Sequence, residues 1–147
     1  LLSMKILFLP VTVVLSACAQ MGTPLDPIAP TAGETRIARF ERVTTGLQSK
    51  AAALVHDALG LDRSGIPATV WGPSAKLAAA CHLQVFDKSL GRDGTDALIG
   101  ARESVLTARL SRTAFIDRYI EVQETLPPAV EAAALRQCGP IEPVGSG

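Results

Sequence analysis

Net charge is the first thing this sequence lacks, because 14 basic side chains balance 14 acidic ones over 147 residues. Long runs of like charge are absent too. Such a chain has neither the basic surface of a general nucleic-acid binder nor a charged interaction tail, so we expect no nucleic-acid partner. Apolar residues still make up 48% of the chain, too many for a protein that is disordered throughout. Length and composition therefore predict one folded domain.

The sequence also lacks the familiar signatures of catalysis and metal binding. It has no glycine-rich phosphate loop, no GxSxG nucleophile elbow, no CxxC and no spaced Cys/His set. Asp93 and Asp96 lie close together after a glycine, but they do not continue into the ligand series of a calcium loop. We therefore expect a protein that is not an enzyme and that has no resident metal and no cofactor.

No apolar run approaches the roughly 20 residues that a membrane-spanning helix needs. The longest run, residues 6–15, directly follows Met4 and Lys5. A short positive start before an apolar stretch of this length is typical of a secretory signal. The run ends in Leu15-Ser16-Ala17-Cys18, which resembles the lipobox of bacterial lipoproteins in residue type, order and spacing.

The lipobox resemblance implies that residues 1–17 are a signal peptide, removed before Cys18, and that the Cys18 thiol carries the lipid. It therefore implies that the membrane is a partner, reached through an N-terminal lipid. Ala19 replaces the aspartate that retains Gram-negative lipoproteins at the inner membrane, which favours the periplasmic side of the outer membrane. The alternative is an ordinary secreted protein in which Cys18 belongs to a discarded signal.

Proline spacing divides the chain that follows the lipobox. Three prolines recur at every third position from 24 to 30, a pattern that favours an extended backbone. We therefore expect residues 18–33 to be a lipidated N-terminus and tether, and residues 34–138 to be the folded domain. Residues 139–147 are rich in glycine and proline and are expected to form a flexible tail.

Helical periodicity dominates the expected domain, and no stretch alternates as a strand would. The predicted fold class is therefore all-α, a small bundle of about four main helices. The first helix should end at Gly60, a favoured C-terminal cap. Ser74 is the expected N-cap of the second helix, and Thr95 or Asp96 that of the third. The third helix is either one long helix or two joined helices. The four predicted helices span residues 34–59, 75–90, 96–126 and 129–138.

Two cysteines, Cys81 and Cys138, remain for the folded domain. A signal peptide places them in an oxidising compartment, where two cysteines favour one disulfide. That bond would join the last helix to the second. The alternative, a reactive thiol or a metal pair that includes His82, is disfavoured because adjacent residues on a helix point about 100° apart.

Three further residues are candidates for binding. His82 falls in the apolar half of its helix, where a histidine is usually a core residue with one hydrogen bond but can also titrate near neutral pH. Arg112 falls within the apolar face of the third predicted helix, which predicts a bend near Ser111 or a buried acidic partner. Trp71 lies in the connection before the second helix, where burial is favoured over an exposed anchor for a partner.

The sequence favours a non-enzymatic adaptor or accessory subunit that recruits an envelope protein. The lipid would hold this adaptor at the membrane, and the tether would set how far it reaches. The overall plan is similar to that of secretin pilotins, small helical lipoproteins with a disulfide. The alternative is a periplasmic binding or inhibitor module for a small molecule, a cell-wall fragment or an enzyme, around His82 and Arg112. An exposed apolar groove would favour the adaptor, whereas a convergent polar pocket would favour the binding module.

Overall fold

The computed structural model describes residues 25–67 and 69–144, which contain helices and no strand. A short 3₁₀ turn, Arg63–Gly65, follows the first helix. The prediction of an all-α helical bundle is confirmed, while the predicted signal peptide and Cys18 lie outside the described residues. In chain order the helices are α1 (Arg36–Leu59), α2 (Pro73–Leu90), α3 (Arg92–Thr107), α4 (Arg112–Gln123) and α5 (Pro128–Cys138).

Helix α1 ends where its sequence predicts and is capped at both ends. The Thr35 hydroxyl oxygen accepts a hydrogen bond from the Ala38 N–H at 3.2 Å, which satisfies a free donor of the first turn. Gly60 has a φ of 65°, a left-handed conformation that glycine adopts without steric cost. The apolar stripe between these ends is buried at Val43 and Leu47.

Helix α2 begins two residues earlier than predicted, at residue 73 and not at residue 75. Ser74 is not its N-cap, because the helix already includes Pro73. Proline is favoured at the first helical position, where its missing N–H leaves no donor unpaired. The helix buries Ala79, Leu83 and Phe86 and ends at Leu90, as its pattern predicts.

Helix α3 also begins earlier than its pattern predicts. The predicted helix bounds leave residues 91–95 as the connection, but Gly91 alone makes it, at a φ of 75°, and α3 starts at Arg92. Neither Thr95 nor Asp96 is therefore an N-cap. The Thr95 hydroxyl lies inside the helix and donates to the Gly91 carbonyl at 3.1 Å, a bond that a residue inside a helix can make without ending it.

The predicted long third helix is two helices, separated by residues 108–111. The Ser111 hydroxyl oxygen accepts from the Ala114 N–H at 3.2 Å and so caps α4. Arg112 is the first residue of α4, and its Nη1 lies 2.9 Å from Oδ2 of Asp57 on α1. The predicted break near Ser111 therefore occurs, and the guanidinium also has an acidic partner, although Asp57 is partly exposed and not buried as predicted.

A disulfide joins Cys81 in α2 to Cys138 at the end of α5, as the sequence predicts. The two Cα atoms are 5.7 Å apart, within the ordinary range for this bond. Pro128 is the first residue of α5, again the favoured position for proline. The bond fixes the short last helix against α2, while the deepest part of the core lies where α1, α3 and α4 meet, at Val43, Leu47, Ile99, Leu106 and Phe115.

The described part of the predicted tether packs on the bundle. The Leu25 N–H donates to the Leu110 carbonyl at 2.7 Å, and the Ile28 N–H donates to the Leu106 carbonyl at 3.1 Å. The Lys50 ammonium donates to a carbonyl of the same segment at 2.5 Å. The sequence predicts a segment that extends freely from the domain, but these bonds hold it against the bundle. The N–H groups that a proline-rich segment retains find acceptors beside α3 and α4.

The described part of the expected flexible tail is also held against the domain. The Gly139 carbonyl accepts a hydrogen bond from His82 at 2.7 Å. Ile141 is partly buried against the core, and the Val144 N–H donates to the Val70 carbonyl at 2.9 Å. Residues 139–144 therefore extend the folded unit beyond α5.

Candidate binding site

A cavity of about 180 Å³ lies at the meeting point of the helices. Each of the five helices contributes to its lining, and so do the residues before α2, between α4 and α5, and after α5. The cavity is therefore a property of the whole bundle. The lining residues are Phe40, Thr44, Gln48, Trp71, His82, Phe86, Arg102, Gln123, Leu126, Glu131, Leu135 and Ile141.

Aromatic side chains form one wall of this cavity. The ring of Phe40 packs edge-on against Trp71, with centroids 5.7 Å apart, and against Phe86 at 6.3 Å. Edge-on packing at these distances is favourable for aromatic pairs. Trp71 is only 3% exposed, so the burial favoured by its sequence position is confirmed and its ring helps to line an interior space.

His82 lies on the same wall and is held by a single hydrogen bond. Its Nε2 is 2.7 Å from the Gly139 carbonyl oxygen. A carbonyl can only accept, so Nε2 carries the hydrogen, and in the neutral ring Nδ1 is the acceptor. The His82 ring also packs edge-on against Phe86, with centroids 6.0 Å apart. The expected core histidine with one hydrogen bond is confirmed.

Arg102 brings a positive charge to the cavity. Its Nε is buried and has no hydrogen-bond partner among the described residues. Its Nη2 lies 3.5 Å from Oε1 of Gln123, beyond the usual length of a hydrogen bond. Burial lowers the pKa of the Arg102 guanidinium, an effect that the charge of Glu131 partly opposes. A guanidinium has five N–H donors, so the protein leaves most of this donor capacity unused.

The arginines of α1 are bound quite differently. Arg36, Arg39 and Arg42 lie along one face of that helix, and each forms an ion pair with a carboxylate of a neighbouring segment. Arg36, for example, lies with Nη2 2.7 Å from Oδ1 of Asp87. Hydrogen bonds to such carboxylates raise the pKa of Arg36 and of Arg42. Arg102 has no equivalent partner in the part of the chain that the structure describes.

Four more polar side chains line the cavity, at Thr44, Gln48, Gln123 and Glu131. The Thr44 hydroxyl is buried and makes no hydrogen bond to any described residue, although a hydroxyl can donate one bond and accept two. Gln123 faces Arg102 at the long distance given above. Glu131 supplies a negative charge at the cavity but forms no ion pair with Arg102 within the described ranges. Buried polar groups without partners cost about 1–3 kcal/mol each, which makes this arrangement one that a polar ligand group would stabilise.

Of the three predicted binding residues, the structure brings two together. His82 and Trp71 both line the cavity, whereas Arg112 lies at the start of α4 and pairs with Asp57. The cation of the cavity is Arg102, which the sequence analysis does not single out. A signal for it exists, because Arg102 lies midway between Leu98 and Leu106, two buried residues on the same face of α3.

Among residues 25–67 and 69–144, no group of three or more His, Cys, Asp or Glu side chains is arranged to hold a metal ion. No helix within these ranges combines the length and the apolar character that crossing a membrane requires. Comparisons with protein-family models, with curated proteins and with solved structures find no match. The functional conclusion therefore has to come from the cavity itself.

Proposed function

We propose that this protein is a non-enzymatic binding module that holds a small ligand in the cavity around Arg102. The observation that carries the proposal is that two buried polar atoms without partners, Arg102 Nε and the Thr44 hydroxyl oxygen, lie beside an aromatic wall in one cavity. Ligand sites typically combine a mostly apolar lining with a few polar groups that fix orientation. Of the two functions that the sequence favours, a convergent polar pocket supports the binding module over the adaptor.

We further propose that the module works at the periplasmic side of the outer membrane, anchored by a lipid on Cys18. The lipobox resemblance at residues 15–18 supports this location. The disulfide between Cys81 and Cys138 supports an oxidising compartment. Anchoring would keep a binding module of this size at the membrane surface, where its ligand would be captured or handed on.

Trp71 gives a direct test of the binding role, because it is the only tryptophan in the chain and it lines the cavity. A ligand that enters should change its emission in a saturable way. We expect a panel of small anionic, neutral and cationic aromatic compounds to include at least one such ligand. A panel that leaves Trp71 emission unchanged at millimolar concentration would contradict the binding role, whatever the charge of the compounds.

The anchor is tested separately in intact cells. Cys18→Ser should abolish incorporation of labelled palmitate and should move the protein from the membrane fraction to the soluble periplasmic fraction. The unsubstituted chain serves as the labelled, membrane-bound control. Retention of both label and membrane association in the variant would overturn the lipidation proposal without affecting the binding proposal.

The adaptor remains a second candidate because α4 presents an apolar face. Ile116 is 46% exposed and Ile120 is 52% exposed, and residues four apart lie on the same side of a helix. A partner helix could bury this face. Crosslinking in intact envelopes, compared between the unsubstituted chain and an Ile116→Ser/Ile120→Ser variant, tests this role. Near-stoichiometric recovery of one envelope protein that the variant loses would favour the adaptor.

A further inference from the structure

We infer that the ligand of this cavity is a small monocarboxylic acid whose apolar body is about the size of one aromatic ring. The juxtaposition that carries the inference is the Arg102 guanidinium, whose buried Nε has no partner, the unpartnered Thr44 hydroxyl and the Phe40–Trp71–Phe86 wall around one cavity. The inference rests on the proposed binding function and names the chemical class that this site selects.

The polar groups of the cavity match a carboxylate. The Arg102 guanidinium is planar, and its parallel N–H donors fit the two oxygens of a carboxylate. The Thr44 hydroxyl can donate a further hydrogen bond to the same group. A bound carboxylate would give Arg102 the ion pair that Arg36, Arg39 and Arg42 find within the protein. It would also give partners to Arg102 Nε and the Thr44 hydroxyl, two of the four buried side-chain atoms that make no hydrogen bond to described residues.

The aromatic wall and the volume define the rest of the ligand. Phe40, Trp71 and Phe86 offer ring faces and edges that favour contact with another ring. The cavity of about 180 Å³ is slightly larger than the roughly 150 Å³ cavity that accommodates benzene. It lies below the roughly 300–1,000 Å³ of sites for drug-sized ligands. A single ring with a short acidic side chain therefore fits, and a long-chain lipid does not.

Glu131 limits the charge that the ligand can carry. Its carboxylate lines the same cavity as Arg102 and acts on that guanidinium through its charge. One carboxylate on the ligand balances Arg102, whereas a second would face the like charge of the exposed Glu131 at the edge of the cavity. This arrangement favours a monoanion over a dianion.

The experiment is a titration of the full folded domain, with its disulfide intact, followed by Trp71 emission. The probes are phenylacetate and phenylacetamide, which have nearly the same shape and differ in charge, together with phenylmalonate as the dianion. We expect phenylacetate to bind at least tenfold more tightly than phenylacetamide, since hydrogen bonds to charged groups are the stronger kind. We expect phenylmalonate to bind at least threefold more weakly than phenylacetate.

Variants locate the bound carboxylate. Arg102→Met should remove the preference for phenylacetate over phenylacetamide while leaving weak binding of both compounds. Thr44→Val, which keeps the shape and removes the hydroxyl, should weaken phenylacetate binding about threefold to tenfold. Arg118→Met is the matched control, because Arg118 lies on the exposed side of α4 in an ion pair with Glu121, and it should leave both affinities unchanged.

Three results would overturn the inference. Equal affinities for phenylacetate and phenylacetamide would show that the cavity binds an aromatic ring regardless of the ligand's charge. The proposed binding function would then stand without the inference. A peptide with a free C-terminal carboxylate that binds more tightly than phenylacetate would assign the site to a protein partner. Absence of any saturable signal, for acid, amide or peptide, would remove the binding function together with the inference.

Discussion

The arginines of this chain differ most clearly in whether a carboxylate of the protein pairs with them. Three arginines of α1 hold neighbouring segments together through carboxylates, and Arg42 contacts both Glu34 and Glu103. Arg102 is partly buried without such a contact in the described structure. A buried cation without a partner lowers stability.

Arg102→Met should therefore stabilise the ligand-free protein by about 1 kcal/mol, since methionine keeps the aliphatic length and removes a poorly solvated charge. Urea denaturation at neutral pH measures the change. Arg118→Met, at an exposed position, should alter the free energy of unfolding by less than about 0.5 kcal/mol. A clear loss of stability in the Arg102 variant would mean that the guanidinium supports the bundle itself.

At the scale of helices, short connections determine where each element begins and ends. Gly91 alone separates α2 from α3, and four residues separate α3 from α4. Caps at these joints replace hydrogen bonds that the helix ends lose. The most informative joint is the one before α4, where the Ser111 hydroxyl caps the new helix and the predicted long helix is interrupted.

Ser111→Ala should destabilise the protein by about 1 kcal/mol, because the Ala114 N–H loses its hydrogen-bond acceptor. Thermal unfolding followed by circular dichroism measures the loss. Ser104→Ala is the control: Ser104 is exposed inside α3 and donates only to a carbonyl of its own helix, so the change should be within about 0.5 kcal/mol. Equal losses in the two variants would argue that the cap does not fix the break.

The disulfide is the second feature that acts on a whole helix. Its cysteines are 57 residues apart, and closing a loop of this length is worth about 4 kcal/mol in the chain-entropy model. In a Cys81→Ala/Cys138→Ala variant, the free energy of unfolding measured by urea denaturation should fall by about this amount. The variant should also bind cavity ligands more weakly, because α5 and the following residues supply Leu135 and Ile141 to the lining. Unchanged affinity would show that packing alone holds α5 in place.

At the scale of the whole molecule, ion pairs link the N-terminal region to the middle of the chain. Glu34, Asp87 and Glu103 accept hydrogen bonds from arginines of α1, and these bonds lower the pKa of each carboxyl. Asp57, bound by Arg63 and Arg112, has its pKa lowered to about 2. The same set of groups therefore connects α1 to α2, α3 and α4.

Acid should unfold the protein over a defined range. Because these carboxyls have lower pKa values in the folded state than their ordinary values of 3.8 for Asp and 4.5 for Glu, the unfolded chain binds more protons there. Their contribution is complete above pH 4.5 and is lost as the pH falls through each folded value, down to about 2 for Asp57. The melting temperature should fall steadily across this range.

Differential scanning calorimetry at pH values from neutral to acid measures this dependence. Glu103→Gln provides the internal comparison, since it removes one titrating partner shared by Arg39 and Arg42. Its melting temperature should be lower than that of the unsubstituted chain at neutral pH, and the difference should shrink in acid. A difference that stays constant with pH would show that the pair is not the source of the dependence.

Local signals in the sequence were sufficient for much of the fold. The C-terminal end of α1 follows from Gly60, although the helix begins at Arg36 and not at the predicted residue 34. The disulfide joins the two cysteines that the sequence predicts to pair. The start of α3 did not follow, because a lone Gly91 can turn the chain where the pattern predicts a longer turn. The packing of residues 25–28 and 139–144 depends on partners far along the chain, which composition does not reveal.

The site was predictable only in part, for a related physical reason. The apolar periodicity of α2 places His82 inside, and the Pro/Gly connection favours a buried Trp71. Arg102 matters because no carboxylate of another helix reaches it in the described structure. Whether a buried charge has a partner depends on three-dimensional packing, so it cannot be predicted from helical spacing or from composition.

The docked N-terminal segment also sets how the molecule responds to force. Any pull transmitted along the chain from before residue 25 reaches the bundle first at Leu25 and Ile28, whose backbone bonds attach to Leu110 and Leu106. The load therefore enters at the joint between α3 and α4, and α1 is shielded until these bonds rupture. Rupture of both bonds would free the eleven residues 25–35, which span ~34 Å at the extension of a proline-rich chain. The segment therefore bears such a pull before α1, which supplies Phe40, Thr44 and Gln48 to the cavity.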